Sequence, residues 1–190
     1  SAANDFNTIE VDAADVSIVD VDDIDIGNST ITGTLGLTAG GTVTDAAGTS
    51  FRVDGNSTIT ATGSDIVLND SPDFDGAESS FTGADLTIDS DPDTLNLQTV
   101  SATGDVVINS ADDLTVNAAG SFTASGSLTM TVGAAGELLW DGPGTVGNGA
   151  TLVATVRDVE FSGALTVTNG NAVVTAGDAV DFESTPGVGG

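Results

Sequence analysis

The sequence predicts an all-β protein built as a parallel β-solenoid (β-helix) with about three short strands in each turn. Three observations support this prediction: apolar residues recur as i, i+2 pairs, helical periodicity is nearly absent, and similar segments return at a roughly constant interval along the chain. The chain of 190 residues is long enough for a single domain with a sizeable core.

The apolar pairs define the strands in order along the chain. Each pair places two side chains on one face of a strand, while the residue between them, often Thr, Ser or Asp, faces outward. No stretch sustains apolar residues at i, i+3, i+4 and i+7, so no helix is predicted. The pairs are Ile9/Val11, Val16/Ile18, Ile24/Ile26, Leu35/Leu37, Phe51/Val53, Ile66/Leu68, Leu86/Ile88, Leu95/Leu97, Val106/Ile108, Leu114/Val116, Leu128/Met130, Leu138/Trp140, Leu165/Val167 and Val180/Phe182.

The distance between similar segments favours a solenoid over its main alternative. The segment ADLTI begins at position 84, and the similar segment GDVVI begins at position 104. Short strands that return at this interval are typical of a coil with several strands per turn. The alternative is a β-sandwich, with hairpin turns at Asp54-Gly55, Asp141-Gly142 and Asn169-Gly170. Sandwich strands are usually longer, and their cores carry more aromatic residues than the 4% found here.

We expect one solenoid domain over residues 1–183, followed by a flexible tail at 184–190. Neither end of this domain has an obvious cap, and an uncovered strand edge invites pairing with another chain. A contact between two different ends does not close on itself, so it predicts head-to-tail filaments. Within that hypothesis, residues 1–26 are also a candidate for exchange into a neighbouring subunit.

Two segments carry a resemblance to a known kind of repeat. GDVVINSADDLTVNAAGSFTASGSLTMTV (104–132) and GALTVTNGNAVVTAGD (163–178) resemble coils of the filamentous-haemagglutinin-like and autotransporter-associated β-helices of bacterial surface proteins. The likeness extends over Ile24 to Phe182 and lies in the style of the repeat. It implies secretion, surface display, adhesion and matrix building.

The charge balance excludes several classes of function. The formal net charge is -27, and the basic residues are Arg52 and Arg157. Two arginines cannot supply the basic face that nucleic acids or anionic membranes require. The chain has no Cys, His, Lys or Tyr, which removes most common catalytic side chains, and we predict no enzymatic activity. Both arginines stand near acidic residues, which indicates charge compensation.

Clustered carboxylates are the candidate metal ligands. Asp89, Asp91 and Asp93 alternate in DSDPDT, and Asp73 and Asp75 precede Gly76 in NDSPDFDG. Ca²⁺ takes six to eight oxygen ligands, and alternating Asp residues in a turn can direct several at one point. Calcium is therefore the expected cofactor, with a solvated acidic turn as the competing interpretation.

Asparagine sequons and threonine pairs are two further candidate features. Asn28 and Asn56 each begin an Asn-Ser-Thr sequon and are candidates for N-glycosylation. A Thr ladder that orders ice needs one Thr-x-Thr pair per coil, but the unequal gaps between such pairs predict that no register is kept. The β propensity of Thr then explains the pairs, which are Thr30/Thr32, Thr42/Thr44, Thr58/Thr60, Thr129/Thr131 and Thr166/Thr168.

These observations favour a secreted structural protein that forms an extracellular fibre, sheath or matrix through head-to-tail association of its subunits. The alternative is a calcium-dependent adhesive or glycan-binding surface module, and a polysaccharide-active β-helix enzyme is a more distant third. The expected partners are other copies of the chain and, for the alternative, glycans. Nucleic acids and membrane insertion are not expected.

Overall fold

The computed structural model describes residues 4–75, 77–90, 93–133 and 136–182. This part of the chain forms strands β1 to β21 and no helix, and every pairing between strands is parallel. The all-β prediction is confirmed. The sandwich alternative is wrong, because the three proposed hairpin turns join no antiparallel strands in the described residues.

The strands wind into a β-solenoid of about 8 turns, as the spacing predicts. Each turn contributes to three parallel faces, which we name A, B and C. The turns differ in length: Thr8 pairs with Asp25 near the start of the chain, whereas Leu114 pairs with the more distant Leu138. The corners therefore vary while the strands stay stacked.

Four long strands turn a corner and belong to two faces; they are β13 (Leu95–Ala102), β15 (Leu114–Ala124), β18 (Gly144–Ala154) and β20 (Leu165–Ala176). The other strands of face A are β3 (Val16–Val19), β6 (Leu35–Ala39), β9 (Ser57–Ala61) and β11 (Glu78–Gly83). Those of face B are β1 (Thr8–Ile9), β4 (Ile24–Ile26), β7 (Val43–Asp45), β10 (Ile66–Leu68), β12 (Leu86–Ser90), β14 (Val106–Ser110) and β16 (Leu128–Val132). Those of face C are β2 (Asp12–Ala13), β5 (Ser29–Ile31), β8 (Phe51–Val53), β17 (Leu138–Trp140), β19 (Val159–Phe161) and β21 (Val180–Phe182).

The core runs along the solenoid axis and consists of the inward members of these strands. The apolar pairs from Ile24/Ile26 to Leu138/Trp140 are buried, which confirms the prediction made from their periodicity. The sole Trp, Trp140, is fully buried and packs against Phe122 with ring centroids 5.2 Å apart. Phe74 fills the core between Phe51 and Phe81 through two edge-to-face contacts.

The N-terminal segment forms the first coil of its own solenoid. Strands β1, β2 and β3 pair with β4, β5 and β6 of the same chain. Exchange of residues 1–26 between subunits stays a hypothesis. The predicted tail at 184–190 lies outside the described residues.

Candidate functional site

Aspartates at the corners connect consecutive turns. Seven of them stand directly before the first inward residue of a strand, and each accepts a hydrogen bond from the backbone N–H of the equivalent residue one turn later. We name them the corner aspartates: Asp15, Asp23, Asp65, Asp85, Asp105, Asp113 and Asp158, bonded to Thr34, Thr42, Asp85, Asp105, Ser127, Glu137 and Ala179 at 2.7–3.0 Å. Seven of the 29 acidic residues therefore have a structural role.

These contacts stabilise the charged form of the carboxylates. The backbone N–H of Thr34, followed by its hydroxyl, lowers the pKa of Asp15, and Ser127 lowers the pKa of Asp105 in the same way. The arrangement has a sequence signature, since each corner aspartate opens an Asp-apolar-x-apolar segment. The sequence did not predict that the carboxylate of this aspartate accepts a hydrogen bond from the next turn.

Two of the predicted calcium ligands contact an arginine. The guanidinium of Arg52 donates to Asp73 at 3.1 Å, to Asp75 at 2.9 Å and to Asp54 through Nε. The hydrogen bond to Asp54, followed by the charge of Asp73, raises the pKa of Arg52 above its ordinary value. Arg157 contacts Glu137 at 3.4 Å. Charge compensation, the expected role of both arginines, is what the structure shows.

Of the other predicted ligands, Asp89 lines a shallow groove. Asp89 faces outward from β12 and accepts a hydrogen bond from the amide of Asn109 on the next turn. Asp89 and Asn109 line this groove of about 320 Å³, together with Ser71 and Thr131. Asp93 lies in a bend before β13, and Asp91 lies outside the described residues.

The calcium site stays a prediction. Among the residues that the structure describes, no three carboxylates lie together in a group that could hold a metal ion. The proposed cluster depends on Asp91, whose position is not part of that description.

Both sequons lie at exposed corners. Asn28 accepts a hydrogen bond from the backbone N–H of Ser50 at 3.0 Å, and the amide of Asn56 donates to Glu78 at 3.4 Å. Each asparagine is exposed, so a glycan would project from the corner. Glycosylation stays a prediction.

Face A carries a row of hydroxyl side chains in continuous register. One outward residue on each of seven successive turns pairs with the next, and we name this row the hydroxyl column: Thr38, Thr60, Thr82, Ser101, Thr123, Thr145 and Thr166. The Thr-x-Thr pairs themselves lie on different faces, since Thr58/Thr60 is on β9 of face A and Thr129/Thr131 is on β16 of face B. The hydroxyl column was not predicted, because Ser takes the place of Thr at some turns and because corner lengths vary.

A second, shorter row runs beside the hydroxyl column. Thr58, Ser80, Thr99 and Ser121 pair in register, two positions before Thr60, Thr82, Ser101 and Thr123. We name the two rows together the hydroxyl face. No charged residue belongs to either row. Within the described part of the chain, none of these hydroxyl groups hydrogen-bonds to another protein group.

Among the described residues, apolar side chains on the core side become more exposed at the last turn. Trp140, Phe161 and Phe182 occupy equivalent positions on successive turns of face C, and their exposed fractions rise from 0% to 7% to 72%. Phe182 stacks on Phe161 with ring centroids 5.1 Å apart. Phe161 and Phe182, together with Leu165 and Val174, border an apolar recess of about 420 Å³.

The first described turn is also partly open. Val16 and Ile18 of β3 are half-buried, whereas their partners Leu35 and Leu37 on the next turn are 3% and 1% exposed. Phe6 is exposed beside this turn, and its N–H donates to the carboxylate of Asp20.

A family model described as repeats of unknown function (DUF5649) matches residues 13–80. The match spans less than half of the chain, from β2 into β11, and is consistent with a protein made of repeats. Comparison with curated proteins and with solved structures finds no significant match. Among the described residues, no helix has the length and hydropathy needed to cross a membrane.

Proposed function

We propose that the protein is a secreted structural protein whose solenoids stack head to tail into an extracellular fibre or matrix. The style of its repeats, which resembles the β-helices of filamentous haemagglutinins and autotransporters, supports a place at a bacterial surface. The partner is a second copy of the chain.

The exposure of Phe182 carries this proposal. At the equivalent position one turn earlier, Phe161 is 7% exposed because another turn covers it, and Phe182 itself is 72% exposed. Burying an aromatic side chain of this kind contributes about 1.5–3 kcal/mol. A further turn supplied by a second copy would bury it and pair the outer edges of β20 and β21.

Chain order sets which strands would meet at the joint. The last described turn runs from face A to face B in β20 and then to face C in β21, whereas the first runs from face B (β1) to face C (β2) and then to face A (β3). A second copy would therefore place its β1 on the face B part of β20 and its β2 on β21, and its β3 would lie one turn beyond the strand position next to β20 on face A. On faces B and C the joint would repeat the parallel pairing found inside each subunit.

Charge opposes the joint at low ionic strength. Asp5, Asp20, Asp22 and Asp23 lie near one another at the first turn, and the pKa of Asp22 is raised by desolvation and then by the other three. The last turn adds Asp178 and Asp181. Since salt screens such repulsion, association should require a saline medium.

The alternative function, a calcium-dependent adhesive or glycan-binding module, has less support. Asp73 and Asp75 already contact the cation of Arg52. Sugar-binding sites commonly use an exposed Trp as a stacking platform, and Trp140 is fully buried.

Two matched variants test the proposal. Phe182→Asp puts a carboxylate on the uncovered end, whereas Val156→Asp puts the same charge at a lateral corner where Val156 is 54% exposed. Negative-stain microscopy and sedimentation velocity in high salt should show long assemblies for the wild type and Val156→Asp, and monomers for Phe182→Asp. A wild type that stays monomeric at high concentration in salt and calcium would contradict the proposal.

A further inference from the structure

The hydroxyl face lies along the side of the solenoid, from β6 to β20, and its side chains point outward from face A rather than along the axis, so stacking of subunits does not explain it. We propose that this face binds ice, through the hydroxyl and methyl groups of the hydroxyl column.

The hydroxyl face is periodic in two directions. Residues in parallel register are about 4.8 Å apart along the solenoid, and residues i and i+2 of one parallel strand are about 6.6 Å apart. The hydroxyl face keeps both repeats over four turns, and the hydroxyl column keeps the first over seven. These repeats are of the same order as the oxygen repeats of an ice lattice.

The side chains of the hydroxyl column are held rigidly. Six of the seven column residues are Thr, whose β-branched side chain has few χ1 rotamers. Beneath them lie Ile59, Phe81 and Phe122, which are almost completely buried and fix the backbone. The positions of the hydroxyl groups are therefore set before any contact, and little side-chain entropy is lost on binding.

The hydroxyl face is polar but uncharged. Its hydroxyl groups have no protein partner in the described residues, and each can both donate and accept a hydrogen bond. In a chain with 29 acidic residues, neither row contains one, whereas Asp25 and Asp89 face outward on face B. Face A therefore presents to solvent an uncharged array of hydroxyl and methyl groups, whereas face B presents strongly hydrated carboxylates.

The same composition disfavours a carbohydrate ligand. Sugar sites combine an aromatic platform with carboxylate or amide groups that bind pairs of sugar hydroxyls. Neither row of the hydroxyl face contains an aromatic, amide or acidic side chain. An ordered water surface therefore matches the face better than a polysaccharide.

Ice recrystallisation inhibition tests the proposal with bacterially expressed protein. The double variant Thr82→Tyr/Thr123→Tyr adds bulk at two places in the column and keeps β propensity. Thr115→Tyr makes the same change on the outward side of face C as a control. We expect the wild type to inhibit recrystallisation, the double variant to lose at least about tenfold in potency, about 1.4 kcal/mol, and the control to match the wild type.

A conservative change keeps the test decisive if the tyrosine variants do not fold. Ser101→Thr completes the methyl groups of the column and should raise the potency. A wild type no more active than serum albumin would overturn the proposal. So would equal losses in the double variant and the control, or a Ser101→Thr variant weaker than the wild type. Binding to powdered chitin or cellulose that the double variant loses, with no effect on ice, would assign the face to a polysaccharide instead.

Discussion

The carboxylate of Asp105 accepts two hydrogen bonds from Ser127 on the following turn, one from the backbone N–H at 2.7 Å and one from the hydroxyl at 2.9 Å. Asp105 in turn donates its own N–H to Asp85 at 2.7 Å. A single residue thus connects three turns of the solenoid at one corner.

Asp105→Ala should therefore destabilise the protein, although it removes an exposed negative charge from a chain of net charge -27. We expect the melting temperature to fall by about 2–4 °C, since the N–H of Ser127 loses its protein acceptor. Asp112→Ala, which removes a neighbouring charge outside the corner aspartates, is the control and should leave the melting temperature unchanged or raise it. Melting temperatures are measured by circular dichroism. A lower melting temperature for Asp112→Ala than for Asp105→Ala would show that charge repulsion outweighs the hydrogen bonds between turns.

Stability should pass through a maximum on the acid side of neutrality. Burial raises the pKa of Asp45 above its ordinary value of 3.8, and desolvation raises that of Asp22. The folded state therefore takes up protons before the unfolded state as the pH falls towards 3.8, and stability increases. Asp15 and Asp105 have lowered pKa values, so their contribution is present above 3.8 and is lost as the pH falls below it.

Melting temperatures measured from pH 7 to pH 2 check this profile. The double variant Asp15→Asn/Asp105→Asn should show a smaller fall in melting temperature below pH 3.8. It should keep the rise in melting temperature that the wild type shows as the pH decreases towards 3.8. A melting temperature that falls steadily from pH 7 to pH 4 would contradict the account.

Gly126 should not tolerate a side chain. A Cβ there would lie 2.6 Å from the carbonyl carbon of Gly104 and 2.7 Å from its oxygen, both backbone atoms of the preceding turn. Gly126→Ala should force the two turns apart and lower the melting temperature by several degrees. Gly36→Ala is the control, because its Cβ would meet only the carbonyl oxygen of Val16, at 3.9 Å. That change should be neutral, or stabilising by about 0.5–1 kcal/mol, and equal effects at both positions would refute this packing.

Arg52→Gln should make stability depend more strongly on salt. It leaves Asp54, Asp73 and Asp75 without their shared cation, and the repulsion among them should lower the melting temperature at low ionic strength. Arg157→Gln removes a single exposed contact with Glu137 and should have a smaller effect. Sodium chloride, and Ca²⁺ at lower concentration, should restore most of the loss in Arg52→Gln. An identical salt response in both variants would contradict the role assigned to Arg52.

Local patterns predicted the strands well, and contacts between turns poorly. The pair Leu86/Ile88 is recognisable because two residues on one strand face are close in sequence as well as in space. The contacts of Arg52 with Asp73 and Asp75 cross a whole turn, so the sequence suggested only Asp54 nearby.

Uneven corners hide the register of the hydroxyl column from the sequence. Thr82 follows Thr60 one turn later, and Ser101 follows Thr82 after a shorter turn whose pairing is irregular near Gln98. A test that requires equal spacing rejects this column, whereas the stacked strands preserve it.

The distance between the two ends of the hydroxyl column tests the account most directly. The chain has no cysteine, so spin labels on Thr38→Cys and Thr166→Cys report on these two positions alone. Six steps of about 4.8 Å predict a Cα separation of about 29 Å. Double electron–electron resonance should give a single narrow distribution around that distance, broadened by the label linkers. A mean distance under about 20 Å, or several separate distances, would contradict a continuous register of turns.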